Sequence, residues 1–197
     1  MTEKEILVIV AHPDDETIWM GGTLIRSKLK ETIICLCRKN DKDRAPKFEK
    51  ACKILGAEGH IFDLDDFEKG YYKKISKQDV IKKILSITKK KKYDYLYTHG
   101  ENGEYKHIRH IQIHEGVKEM LKKELLFAKE VFFFSYLKRK NNFQGYAIYN
   151  SNAYKLIKLN RNELSMKKNI IKNIYGYKKR GFEEKSSGKI ESFDIEK

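Results

Sequence analysis

Cysteine, proline and tryptophan are scarce in this chain of 197 residues, which holds three, two and one of them respectively. Cys35, Cys37 and Cys52 are too few for a disulfide framework and lack paired zinc-ribbon spacing, so they read as small buried residues. Two prolines exclude a Pro-rich linker, no internal repeat divides the chain, and the length fits one compact domain. No stretch approaches the roughly 18 apolar residues of a membrane span. The first sixteen residues hold no apolar signal-peptide region, so the expected location is cytoplasmic. Acidic residues are in deficit, 28 against 42 basic ones, giving a formal charge of +14. The lysines fall on scattered helix faces and short loops such as 89–92, without a helix-turn-helix, stacking platform or zinc-finger spacing. No specific nucleic-acid partner is therefore expected. A basic surface instead suits an anionic small molecule and transient contact with an anionic membrane.

The chain does hold a β-branched apolar run, Ile6-Leu7-Val8-Ile9-Val10, followed at once by Ala11-His12-Pro13-Asp14-Asp15-Glu16. A continuous apolar run without polar alternation predicts a central strand of a parallel sheet, and ligands in such folds bind beyond the carboxyl ends of the strands. Pro13 forbids helix at His12, so the imidazole and the carboxylates can converge on one point. A nitrogen and one or two carboxylate oxygens suit zinc, which needs a further ligand. The stretch 93–110 offers it: a strand ends at Thr98, a Gly-containing loop follows, and His107 and His110 share one helical face. Glu16 is expected to orient a ligand. His114 is a further candidate ligand or a solvated or core histidine, and His99 either touches substrate or is structural. Asp14 or Asp15 could alternatively be a helix N-cap.

Elsewhere strands and helices alternate. Strands are expected at 6–11, 32–37, 59–64, 94–98 and 130–135, with helices over 23–30, 46–55, 77–89 and 108–122. The alternation predicts an α/β fold, a three-layer α/β/α sandwich around a Rossmann-like, mostly parallel sheet. Short strands at 145–150 and 154–159 and a helix over 161–175 complete a single domain spanning 1–182. The polar residues 183–197 read as a loose tail. The segment 65–76, with Tyr71-Tyr72, follows the third strand and would either cover a sugar or form a surface loop.

Two motifs, Ala11-His12-Pro13-Asp14-Asp15-Glu16-Thr17 with Gly21-Gly22 behind it, and Gly103-Glu104-Tyr105-Lys106-His107-Ile108-Arg109-His110, resemble those of the PIG-L/LmbE-like zinc-dependent N-deacetylases. The resemblance covers about two-thirds of the chain. It implies that His12, Asp15 and His110 ligate Zn²⁺, that Asp14 is the general base, and that His107 stabilises the oxyanion; by ligand chemistry Fe²⁺ fits the same three residues. The resemblance implies hydrolysis of an N-acetylated amino sugar or sugar conjugate, and the basic surface adds phosphorylated and nucleotide-linked forms as candidates. Arg44 matches a family arginine that contacts substrate, although Lys47 stands where the following Glu would be. Tyr105, its ring packed and its hydroxyl exposed, is a second expected substrate contact. Ile108-Arg109 replaces the family's inner Pro-Asp, and Tyr175-Gly176-Tyr177 stands where the family closes a helix with Ser-Gln. A Mg²⁺-dependent phosphatase-like hydrolase on Asp14 and Asp15, or a binding protein that keeps the fold, are the other readings. The sequence leaves a monomer or an oligomer open.

Overall fold

Every side chain from Ile6 to Val10 is buried, and these residues form the first strand, β1 (Glu5–Val10). The computed structural model describes residues 4–64, 67–68, 71–72, 75–88, 92–139 and 145–196, with the backbone alone of 67, 68, 71 and 72. The further strands are β2 (Lys30–Cys35), β3 (Glu58–Ile61), β4 (Phe67–Glu68), β5 (Tyr71–Tyr72), β6 (Lys92–Thr98), β7 (Phe127–Phe134), β8 (Tyr136–Lys138), β9 (Ala147–Tyr149), β10 (Lys155–Lys158) and β11 (Ile190–Ile195). The helices are α1 (Asp15–Arg26), α2 (Arg44–Leu55), α3 (Lys77–Thr88), α4 (Gly103–Lys106), α5 (Ile108–Lys122), α6 (Arg161–Asn169) and α7 (Phe182–Ser186), with a π-helical turn over Ile170–Ile174.

A strand apolar on both faces needs cover on both. Ile6, Val8 and Val10 pack with Trp19, Phe48 and Ile170 on one side of the sheet, while Leu7 and Ile9 pack with Ile84, Ile113 and Val117 on the other. Each such side chain, fully buried, contributes roughly 1.5–3 kcal/mol. Among the described residues seven strands form the main sheet, in the order β10-β11-β7-β6-β1-β2-β3. The five strands from β7 to β3 are parallel, and β10 and β11 are antiparallel additions at one edge. The expected three-layer α/β sandwich is the observed one. The chain builds β1, β2 and β3 in one direction and then crosses back to place β6 against the other edge of β1. The carboxyl ends of β1 and β6 therefore flank a topological switch point, where the diverging connections leave a crevice.

The tail expected at 183–197 is corrected. Residues 182–186 form α7, and 190–195 form β11, inserted between β10 and β7. Polar composition misleads there because the polar groups are buried with partners. Glu191, fully buried, accepts hydrogen bonds from Gly22 N at 2.7 Å, Thr23 N at 2.8 Å and Thr23 Oγ1 at 2.6 Å, and pairs with buried Lys167 Nζ at 2.7 Å. Burial lowers the Lys167 pKa, and the Glu191 charge opposes that loss.

The same carboxylate explains a second difference. The first helix starts at Asp15 and not at residue 23, with a break at Met20, where φ is −145°. Glu191 supplies the acceptor that the resumed helix needs for its first N–H groups. The chain comes so close here that a Cβ on Gly22 would lie 2.3 Å from a Leu159 methyl. Among the described residues no helix is long and apolar enough to cross a membrane. The tyrosines expected to cover a sugar lie in the β4–β5 ribbon, and their side chains fall outside the described residues.

Candidate metal centre

The loop after β1 and the loop and helix after β6 bring His12, Asp15 and His110 together at the switch point. His12 Nδ1 lies 3.3 Å from Asp15 Oδ2, His110 Nε2 lies 3.4 Å from the same oxygen, and the two nitrogens are 3.3 Å apart. Metal bonds of about 2.0–2.1 Å at the tetrahedral angle require ligand-to-ligand distances of about 3.3–3.4 Å. The three atoms thus outline one face of a tetrahedron, and the residues fit a zinc-sized cation.

His99 and His107 also approach this group, His99 beside Asp15 and His110, and His107 beside His12 and His110. The bonding of His99 removes it as a ligand. Its Nε2 accepts the Ala11 N–H at 2.9 Å and its Nδ1 meets Glu104 Oε2 at 2.9 Å, so neither nitrogen keeps a lone pair for a cation. His99 is fully buried and structural. His114 points elsewhere: its Nδ1 meets the His99 carbonyl at 2.9 Å, and the ring lines an outer groove of about 600 Å³.

Glu104 is the carboxylate that meets His110, whereas Glu16, expected to orient a ligand, bonds to Asp14 N, Thr17 and Tyr175. Glu104 Oε2 meets His110 Nδ1 at 2.5 Å and His99 Nδ1 at 2.9 Å, and Oε1 accepts the Gly100 N–H at 2.8 Å. A proton on His110 Nδ1 leaves the Nε2 lone pair available to a cation, the carboxylate–histidine arrangement common behind metal sites. Burial alone would raise the Glu104 carboxyl, but the His99 and His110 rings hold it at about 2. Asp15 shows the same balance: burial raises it, and the His110, His12 and His99 rings bring it well below the usual carboxylate range. Its Oδ1 accepts the Trp19 indole N–H at 2.8 Å. Glu16 instead accepts from the Asp14 N–H at 3.0 Å, Thr17 Oγ1 at 2.6 Å and the Tyr175 hydroxyl at 2.7 Å.

Asp14 sits beside the three convergent atoms with φ at +113°, a conformation a non-glycine residue rarely adopts. Arg38, Glu104 and Lys106 also have positive φ, so the strained backbone gathers on the loops at this sheet edge. Asp14 Oδ2 accepts from Arg44 Nη2 at 2.8 Å and from the Tyr177 hydroxyl. Burial, opposed by Arg44 and reinforced by Asp15, pushes its pKa up to about 8. Neither aspartate makes a side-chain N-cap bond to α1. His107 caps α5, its Nδ1 accepting the Arg109 N–H at 3.3 Å, and its ring lies edge-on to His12 at 4.8 Å. Tyr105 packs edge-on against Phe182 at 4.7 Å. Asp14, Arg44, Tyr105, His107 and Tyr177 line a cavity of about 150 Å³ that opens onto the cluster. The contacts of Glu104, Tyr175 and Tyr177 are not announced by the sequence.

The profile of the PIG-L family, described as GlcNAc-PI de-N-acetylase, matches residues 7–121. The chain belongs to this family. Among similar curated proteins, a probable N-acetylglucosaminyl-phosphatidylinositol de-N-acetylase of Dictyostelium discoideum is 29% identical over 134 residues, covering 62% of this chain and 51% of the relative. A protein of the same name from Schizosaccharomyces pombe is 25% identical over 130 residues, covering 60% and 52%. The 1D-myo-inositol 2-acetamido-2-deoxy-alpha-D-glucopyranoside deacetylase of Thermomonospora curvata is 22% identical over 151 residues, covering 57% and 50%. The chain thus spans about half the length of these relatives. The crystal structure of a conserved protein of Thermus thermophilus shares the fold, with a TM-score of 0.68 at 16% identity over 96% of this chain and 93% of that one.

Proposed function

We propose that this chain is a zinc-dependent amidohydrolase that removes the acetyl group from an N-acetylated amino sugar conjugate. The observation that carries the reading is the near-equilateral triangle of His12 Nδ1, Asp15 Oδ2 and His110 Nε2 at 3.3–3.4 Å, with the Asp14 carboxylate beside it. The names of the relatives, all of them deacetylases of N-acetylglucosaminyl or acetamido-glucose conjugates, support the substrate class. Zinc held there would lower the pKa of a water at its open position to about 7.

The chain's own residues divide the remaining work. Asp14, in its ionised form and with Oδ2 already occupied by Arg44 and Tyr177, accepts the proton of the attacking water on Oδ1. His107, with Nδ1 accepting from Arg109, carries its proton on Nε2, the donor that a developing oxyanion needs. Loss of one such donor typically costs about 2.7–4 kcal/mol of barrier. The leaving amine takes its proton from Asp14 or His107. Tyr105 and Arg44 contact the sugar at the cavity wall. The cavity, about 150 Å³, is smaller than the roughly 300–1,000 Å³ of drug-sized sites, so it admits one sugar-sized group and leaves the rest of a conjugate outside. Two imidazole nitrogens among three ligands favour zinc over Mg²⁺, which prefers oxygen.

The test is acetate release from N-acetylglucosaminyl-inositol and a panel of N-acetylated sugars, with metal-stripped protein as control. The expected result is turnover with about one zinc per chain, abolished in Asp14→Asn with zinc still bound. Acetate release from none of the panel by zinc-loaded protein, or undiminished release by Asp14→Asn, would overturn the reading.

A further inference from the structure

The π-helical turn over Ile170–Ile174 ends in Tyr175-Gly176-Tyr177, a segment beyond the part of the chain matched to the family. Such turns often occur at functional sites because they displace the residues that follow. Tyr175 N bonds to the Ile170 carbonyl at 3.0 Å, and Tyr177 N to that of Ile171 at 3.2 Å. Gly176, with φ at +80°, takes the left-handed conformation that closes the turn. The two rings emerge on the same side, with centroids 6.1 Å apart and planes 27° apart.

Both phenols act on one residue. The Tyr175 hydroxyl bonds to Glu16 Oε1 at 2.7 Å, and Glu16 Oε2 accepts the Asp14 N–H at 3.0 Å, which holds the Asp14 backbone at its unusual φ. The Tyr177 hydroxyl bonds to Asp14 Oδ2, on which Arg44 Nη2 also lies, and the Arg44 guanidinium packs 5.7 Å over the Tyr177 ring. Among the described residues no donor is bonded to Asp14 Oδ1. Arg44 is further tied by Nη2 to the Pro13 carbonyl at 2.6 Å, so the positive partner is itself fixed.

We infer that Tyr177 is a positioning residue for Asp14. Its hydroxyl and Arg44 together anchor Oδ2, stop the carboxylate from rotating, and leave Oδ1 as the oxygen that meets the water. The inference rests on the proposed hydrolysis for its kinetic consequence and on geometry alone for the orientation. Tyr177→Phe removes the hydroxyl and keeps the ring on Arg44.

The experiment compares wild type and Tyr177→Phe by steady-state kinetics, zinc content, thermal unfolding and crystal structures of the metal-free proteins. A hydrogen bond to a charged group corresponds to about a ten- to hundredfold effect. The expected result is a fall of that size in kcat with KM within about twofold, unchanged zinc content, and an Asp14 carboxylate in more than one orientation while His12, Asp15 and His110 stay in place. An unchanged single orientation of Asp14 would overturn the inference. So would kcat unchanged per folded, zinc-loaded chain, or a loss expressed only in KM, which would make Tyr177 a substrate contact. If wild type releases no acetate from any amide, the proposed function fails, and the pair of crystal structures still decides whether the phenol orients the carboxylate.

Discussion

Replacing Glu104 with glutamine tests how the proposed ligand His110 is held, because no orientation of an amide reproduces what the carboxylate does. Oε2 accepts from two imidazoles, His110 Nδ1 and His99 Nδ1, and Oε1 accepts from the Gly100 N–H. If the amide NH₂ faces the imidazoles, two ring N–H groups meet a donor and His110 must move its proton to Nε2, which removes its ligating lone pair. If the amide oxygen faces them, the NH₂ meets the Gly100 N–H and a buried backbone donor is orphaned, at about 1–3 kcal/mol. The second arrangement is the cheaper, and it still loses the carboxylate charge behind His110. Losses of that kind typically weaken a metal site about 10- to 100-fold, or roughly 1.4–2.7 kcal/mol. Fold stability falls as well. Burial alone would raise the Glu104 carboxyl, but the His99 and His110 rings hold it below its unfolded value of about 4.3, so ionised Glu104 contributes stability present above that pH and lost as pH falls through the folded pKa. Glu104→Gln should therefore bind zinc about 10- to 100-fold more weakly in a chelator competition at neutral pH. It should also unfold at a lower denaturant midpoint at neutral pH, with the gap to wild type closing as the pH is lowered through that window. Zinc affinity equal to wild type would refute the role given to Glu104.

Glu31 is a buried carboxyl whose two oxygens have no close hydrogen-bond partner among the described residues, and burial, offset in part by the nearby Ser27 hydroxyl, pushes its pKa up to about 7. A raised acid costs nothing below its unfolded pKa, and its penalty grows as pH rises to the folded pKa, so Glu31→Gln should match wild type at about pH 4 and melt higher at about pH 8. After discounting for solvent screening the gap is on the order of 1–2 kcal/mol, or about 2–8 °C; equal melting temperatures at the higher pH would count against it. Gly22→Ala would drive a methyl into Leu159, itself buried, and should lower stability by about 1–3 kcal/mol in urea unfolding. Glu191→Ala leaves Lys167 buried without its partner and removes the acceptor of Gly22 and Thr23, so a loss of about 3–5 kcal/mol is expected, read by the same unfolding curve.

What could be read from the sequence depended on whether a residue's partner lay nearby in the chain or was announced by type. The apolar run 6–10 has one structural solution, a doubly covered strand, and His12, Asp15 and His110 stand out because ligand chemistry restricts residue types more tightly than position does. Glu104 is underestimated from sequence because its carboxylate turns back toward His99 and His110 only through a backbone φ of +58°, which composition and periodicity do not announce. Tyr177 and Glu191 escape for a different reason: their partners Asp14 and Gly22 stand 163 and 169 residues away. The tail is misread because a segment with Glu191, Ser192 and Asp194 looks solvated unless Lys167, Ser135 and the α1 amides are known to meet it. These omissions share a pattern. The atoms that converge on the cation-sized site all come from the segment matched to the family, whereas Tyr175, Tyr177 and Glu191, which fix the backbone and carboxylates of that segment, come from the last quarter of the chain. The proposed ligands lie on two loops, but the residues that fix those loops come from the strand and turn that close the sheet edge. A C-terminal truncation should for that reason disturb Asp14 and α1 before it alters the set of residues able to hold a metal.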